Sequence, residues 1–344
     1  MSKVCYLLGA GASYGKRIDP ENITMDDVSL IEEGLPIVSE IKEELEYVIG
    51  WVNSVELTGG DHILRGEKCE VDDLKNELII GFEWLLNESS RHSTIDTFAK
   101  KLYLKGDNNN YGRLKFLLSS FFLIEQFLHP YDKRYDAFLA NILNSQLRIP
   151  DDIFIMTWNY DVQFDIAYRD YNDLGLPMCI PQEKNNSNNN ARLFKINGSA
   201  NYFSSNYLDS SILLQDNSCF LLERILKQLS MTTGRGSYST GTTDLLFAWE
   251  KPKFDEISKI LYQNISDAHV LVIIGYTFPF FNREIDREIF SKMPKLEKLY
   301  VQDPKADKVK IALKSILPSE KYANLLKDEN LVYDTTNFFL PPEL

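Results

Sequence analysis

Cysteine is scarce in this sequence of 344 residues. The four present, Cys5, Cys69, Cys179 and Cys219, stand far apart and form no C-x-x-C pair. That excludes a structural zinc ribbon and argues against a disulfide framework, so a reduced, cytoplasmic setting is expected. Histidine is equally sparse: His62, His92, His129 and His269 show no ligand-like spacing, and no metal site is expected from them. Long apolar runs are missing too. The opening MSKVCYLLGAGAS reaches glycine too soon for a signal peptide, and no later stretch approaches the ~18–20 apolar residues of a spanning helix. No membrane association is therefore expected. Positive charge is in deficit, with 37 Lys and Arg against 50 Asp and Glu and a net charge of −13. Such a surface repels phosphate backbones, so direct binding of duplex nucleic acid is not expected, although a local basic groove is not excluded.

What is present is enough for a large α/β domain, since 44% of the residues are hydrophobic. Residues 4–8, 153–157 and 269–274 (HVLVII) read as buried strands, each running into a Gly- or Asn-bearing turn and then a helical pattern. This is the rhythm of a doubly wound parallel sheet covered on both faces. Further strands are expected at 299–302 and, more weakly, at 193–196. Apolar residues at helical spacing over 37–52, 71–86, 95–104 and 114–127 predict helices. Residues 30–148 are accordingly read as a helical insertion or cap within a single domain spanning 1–344. The polar run 183–190 (EKNNSNNN) reads as a surface loop, and 234–243 (GRGSYSTGTT) as a flexible segment long enough to act as a lid.

Four motifs carry the chemistry. Gly9, Ala10, Gly11, Ala12 and Ser13 follow the first strand, where small residues allow close approach to a pyrophosphate; a tight turn that merely packs is the alternative. A dehydrogenase would place an acidic residue at the end of a second strand about 20 residues on. The sequence IDPENITMDDVSLIEEG shows no such strand, which counts against hydride transfer. Thr157, Asn159 and Asp161 lie at the carboxyl end of the second strand (TWNYD), where ligands sit in open parallel sheets. Asn159 and Asp161, two apart, can enter one pocket together or cap the next helix. Asn197 and Gly198 follow the weaker strand and form either a site turn or a plain strand-to-turn transition. Gly275, Tyr276 and Thr277 follow the 269–274 strand, with Asn282 and Asp286 beyond; Asp286 is readable as no more than a surface helix residue.

In this order, the motifs resemble those of the sirtuin-like (SIR2-like) family, in particular its bacterial branch in NAD-depleting antiphage defence systems. Further matches are Gly34-Leu35-Pro36 ahead of a helix, the segment STIDTF at 93–98, and a terminal strand leading to Asp303-Pro304. The resemblance implies a Rossmann-like sheet with NAD+ bound as substrate across its carboxyl edge and no metal. By the same resemblance Gly9 to Ser13 hold the pyrophosphate, and Asn159 positions a water or ribose hydroxyl. Asp161 holds the nicotinamide carboxamide, while Gly275 to Thr277 line the ribose and adenine, with Asp303 nearby.

One departure matters. The family usually has His-Gly, the histidine acting as base, where this chain has Asn197-Gly198. Asparagine cannot take a proton, and loss of a general base typically lowers rates by ~10²–10⁴. Glycosidic hydrolysis tolerates this better than deacylation, because nicotinamide leaves as a neutral molecule through an oxocarbenium-like transition state. The expectation is therefore an NAD+ glycohydrolase, weakened at Asn197, that depletes NAD+ as an antiphage effector. By analogy it self-associates and answers to an activating subunit such as an ATPase, translocase or Argonaute-like protein. The alternative is a non-catalytic module that senses NAD+ or ADP-ribose within a multi-subunit defence complex. A nuclease is disfavoured by charge and by the lack of an acidic metal cluster in the sequence.

Overall fold

The computed structural model describes residues 3–19, 29–57, 61–64, 67–172, 178–179, 191–202, 213, 217–233, 238, 243–250, 258–318, 321 and 324–344. The expected surface loop at 183–190 lies outside them, as does most of the expected lid at 234–243. Along the chain come β1 (Lys3–Leu8), β2 (Lys16–Arg17), β3 (Ile31–Glu33), α1 (Ile41–Ser54), β4 (Asp61–Leu64) and β5 (Glu67–Glu70). Then follow α2 (Val71–Arg91), α3 (Ile95–Lys105), α4 (Asn108–Leu128), α5 (Lys133–Ile142), β6 (Ile153–Thr157) and α6 (Gln163–Arg169). The remainder is β7 (Met178–Cys179), β8 (Leu193–Lys195), α7 (Ser218–Thr233), α8 (Ser258–Ile265), β9 (Ala268–Ile274), α9 (Arg283–Ser291), β10 (Lys298–Gln302), α10 (Ala306–Leu313) and β11 (Leu331–Val332).

These elements form two compact units. The first comprises Met1–Gly15, Tyr131–Gly198 and Leu246–Leu344; the second comprises Lys16–Pro130 and Ser199–Leu245. Of the stretch read as a helical insertion, residues 30–130 fall in the second unit, while 131–148, with α5, belong to the first.

The first unit is a Rossmann-like α/β fold. Its sheet has the order β11-β10-β9-β1-β6-β8-β7, and every adjacent pair is parallel. The two faces follow from strand alternation. Val4, Tyr6 and Leu8 of β1 join Ile153, Ile155, Val270 and Val272 in a core closed by Tyr135, Phe138 and Leu139 of α5 and Phe164 and Ala167 of α6. Cys5 and Leu7 join Phe154, Met156, Leu271, Ile273 and Val301 on the other face, beneath Leu261 of α8, Ile289 of α9 and Val309 of α10. A strand buried on both sides has to be apolar throughout, which is why these runs lack polar alternation.

Strand register fixes the site. Leu8 pairs with both Thr157 and Ile274, Thr157 with Lys195, and Ile274 with Gln302. Five strands therefore end level. The chain also leaves β1 toward β6 and β8, then returns to β9 on the opposite side of β1. The carboxyl ends of β1 and β9 thus flank the point where the winding reverses, which is where open α/β sheets bind ligands.

The second unit packs α1 on α2 and α4, and α2 on α3, α4 and α7. The stretch after the glycine turn gives no second strand of the main sheet among the described residues. Instead β2 pairs antiparallel with β3, a short strand inside the stretch read as having none. Two of the sequence motifs have structural duties here. Gly34 turns with φ +87° and donates to Pro130, and Thr94 caps α3 by accepting from Thr97 N at 3.1 Å.

Burial raises the Asp96 carboxyl, in the first turn of α3, from 3.8 to about 6. A folded state that holds this proton more tightly than the unfolded chain loses stability as pH rises from 4 through 6. Asp96→Asn is therefore expected to gain on the order of 2 kcal/mol above pH 6 and almost nothing below pH 4. Urea unfolding at both pH values tests this, and an equal change at the two would refute it.

Candidate functional site

The glycine turn is wired from behind. Gly9 N donates to Ile274 O at 2.9 Å, Gly11 N to Gly275 O at 3.0 Å, and Gly275 N to Gln302 O at 2.9 Å. Ala12 N and Ser13 N close the turn on Gly9 O and Ala10 O. Ala10, exposed, keeps the one amide of these five without a bond among the described residues. The glycines are required by contact between two backbones: a Cβ on Gly9 would stand 2.6 Å from Gly275 O and Tyr276 Cα. Contact between the two turns therefore accounts for Gly9 and Gly11, and of the five residues only Ala10 is exposed.

Ser13 is the hub. Its Oγ lies 2.9 Å from Tyr135 Oη and accepts from Asn159 Nδ2 at 2.9 Å, while its carbonyl accepts from Gln163 Nε2 at 2.9 Å. Asn159 Nδ2 also donates to Gly9 O at 2.9 Å, and its backbone N donates to Thr157 Oγ1 at 3.0 Å. Asn159 is thus a brace across two strand ends and not a helix cap. Both its N–H donors are engaged, leaving Oδ1 without a bond among the described residues. Asp161 lies one residue ahead of the cap position, Val162, and bonds the start of α6 by accepting from Gln163 N at 3.1 Å. Burial raises its carboxyl above the usual carboxylate range, against the opposing pull of the Ser13 hydrogen bond and the Lys195 charge. Lys195 itself is buried, bonded to Asp165 Oδ2 at 2.6 Å and to the carbonyl of Asp161 at 2.8 Å.

Asn197 follows β8 and donates from Nδ2 to Trp158 O at 3.2 Å, while its Oδ1 is buried without a partner among the described residues. Gly198 adopts φ +70° in the turn beside it. Across the switch point, Gly275 has φ +59° and buried Phe278 has φ +54°. A bulky residue in the left-handed region is strained, a condition that concentrates at functional loops. Tyr276 stacks on Trp158 with ring centroids 5.8 Å apart, and its hydroxyl donates to Asp286 Oδ2 at 2.9 Å. Asp286, readable from sequence as a surface residue, is 1% exposed, and burial pushes its carboxyl well up. Thr277 is exposed. Asp303 accepts from Lys305 N at 2.7 Å and so holds the start of α10.

Sequence reasoning missed several contributors. Tyr135 and Arg134 come from α5; Arg134 donates to Gly11 O at 3.1 Å and pairs with Asp132. Leu246 N donates to Asn197 O at 2.7 Å, which sets an aromatic shelf beside the edge. There Phe247 and Trp249 stack at 4.8 Å and 2°, Tyr160 meets Phe247 at 6.3 Å, and Trp249 meets Phe281 at 5.3 Å. The clustered Phe247-Ala248-Trp249 was the available signal. His269, the one histidine of the first unit, stands at the opposite, amino end of β9, where Lys3 N donates to its Nδ1.

Among the described residues no helix is long and apolar enough to cross a membrane. Comparison with known proteins finds no family model that matches the chain and no curated protein that matches it.

Proposed function

We propose that the first unit binds NAD+ across this edge and hydrolyses it to nicotinamide and ADP-ribose, as its resemblance to SIR2-like proteins implies. The observation that carries the reading is that Ser13, Asn159, Asp161 and Asn197 follow three neighbouring strand ends, β1, β6 and β8, beside the switch point. In this reaction water forms a bond to C1′ of the ribose as the bond to the nicotinamide nitrogen breaks. Nicotinamide leaves neutral, and the water surrenders a proton. Asn159 Oδ1 is suited to orient the water, and the polar groups around Asp161 to stabilise the developing cation. The unpaired Asn197 Oδ1 suits a ribose hydroxyl, and the aromatic shelf a base or nicotinamide ring. Ala10 N is the turn amide left for the pyrophosphate. Depletion of NAD+ in antiphage defence, self-association and an activating subunit rest on the resemblance alone.

A second reading, a sensor that holds NAD+ or ADP-ribose without turnover, draws on Asn197 and on the position of His269. Nicotinamide release and NAD+-dependent melting, compared between wild type and Asn197→His, separate the two. For the enzyme, Asn197→His is expected to raise turnover by about 10²–10⁴. A melting shift with NAD+ but no turnover in either form makes the protein a sensor. Neither shift nor turnover in either form removes NAD+ from this site.

A further inference from the structure

Away from that edge, the second unit buries an unexpected polar cluster. Glu44 comes from α1, Glu125 from the last turn of α4, and His129 from the residue after it, four positions beyond Glu125. One ligand atom from each lies within 4.8 Å of the other two. His129 Nε2 stands 3.6 Å from Glu125 Oε2 and 3.3 Å from Ser29 Oγ, which itself donates to Glu44 Oε2 at 2.9 Å. Glu125 is 0% exposed, yet neither of its carboxylate oxygens has a hydrogen-bond partner among the described residues. Leaving a buried carboxylate bare is strongly unfavourable, and natural proteins pair such groups or give them to a metal.

We propose that Glu44, Glu125 and His129 form a binding site for a divalent transition-metal ion that ties α1 to the end of α4. The spacing fits: a tetrahedral site with bonds of ~2.1 Å has ligand–ligand edges of ~3.4 Å. The Glu125–His129 separation of 3.6 Å is close to that edge, and all three ligand atoms lie within 4.8 Å of one another. Charge fits as well. With a divalent ion bound, two ionised carboxylates and a neutral imidazole would supply −2 and cancel its charge. The guanidinium of Arg17, whose field also reaches the cluster, is bonded to Glu40 at 2.7 Å. Mixed carboxylate and imidazole donors suit zinc, manganese or iron(II) better than magnesium or calcium. The enclosed position suits a structural ion, and nothing in this proposal depends on the NAD+ reading.

The test uses the tag-free full chain, analysed for metal as purified, then stripped with chelator and titrated with Zn2+. Expected are one tightly held divalent ion per chain and a melting temperature about 5 °C or more higher at saturating Zn2+ than in the stripped protein. Glu125→Gln and His129→Gln should lose that ion. Glu88→Gln, which alters another Glu–His pair at the same spacing, should keep it. Should the first two variants fail to fold, X-ray absorption of the zinc-loaded wild type decides, with one imidazole and otherwise oxygen ligands expected. A sulfur ligand, an ion retained in Glu125→Gln, or a wild type that neither holds nor responds to Zn2+ would overturn the proposal. In the last case the cluster shares protons instead, and Glu125→Gln should stabilise the fold.

Discussion

Gly275→Ala is expected to destabilise the protein by about 4 kcal/mol or more, the range reached only by a few specific mechanisms. Two of them act together here. The residue has φ +59°, and the added Cβ would stand 2.5 Å from Ala12 N, Gly11 C and Gly11 Cα. All three are backbone atoms held by a strand end, so none can rotate away. Relief requires the turn after β9 to part from the turn after β1, breaking the Gly11 N to Gly275 O bond. Gly50 supplies the contrast, lying exposed in α1 with open space where its Cβ would go. Gly50→Ala should gain roughly 0.5–1 kcal/mol from helix propensity. Chemical unfolding of both variants checks the pair. A Gly275→Ala protein within 1 kcal/mol of wild type would show that the two turns are not in contact.

Asn159→Ala carries the second large effect, and the structure changes what it should look like. From sequence, this variant is expected to remove turnover with the fold untouched. Yet the Asn159 amide holds both Gly9 O and Ser13 Oγ. Truncation removes two buried hydrogen bonds, although Gly9 O keeps Ala12 N and Ser13 Oγ keeps Tyr135 Oη, at about 1–3 kcal/mol in all. Nicotinamide release should fall by about 10²–10³ or more, alongside a measurable drop in melting temperature. Ser13→Ala should share much of the stability loss, so the double variant should cost less than the two single variants added together. Unchanged turnover in Asn159→Ala would remove this residue from the reaction.

The strands were legible because burial on both faces leaves no room for polar residues. The runs at 153–157 and 269–274 needed no knowledge of their neighbours. Helix starts were less visible. The first turn of α4 is Asn-rich, and its cap, Asp107 accepting from Asn110 N, carries no apolar signal. α1 starts at Ile41 and not at 37, because the Glu40 carboxylate first accepts from Ile37 N and pairs with Arg17. The strand-end motifs at Gly9, Asn159, Asn197 and Gly275 were readable individually; only register shows that they end level. Tyr135, the Trp249 shelf and the burial of Asp286 depend on contacts between distant residues, which periodicity does not encode. Glu125 and His129 are a visible four-residue pair, but Glu44 joins them only through the packing of α1 on α4.

The order of the sheet also governs the timing of folding. β1 is a central strand, paired on one side with β6 and on the other with β9. Lys3 meets Ala268, so at synthesis rates of 5–20 residues per second the second partner emerges about 13–50 s after the first strand. Until β6 emerges both hydrogen-bonding edges of this apolar segment are open, and until β9 emerges one edge still is, the condition that favours intermolecular pairing. Soluble yield should therefore respond to growth temperature and to chaperones that shield nascent chains. A circular permutant that starts ahead of β9 and joins the present ends would make β9 and β1 nearer neighbours in synthesis, and should ease that dependence without altering the folded sheet.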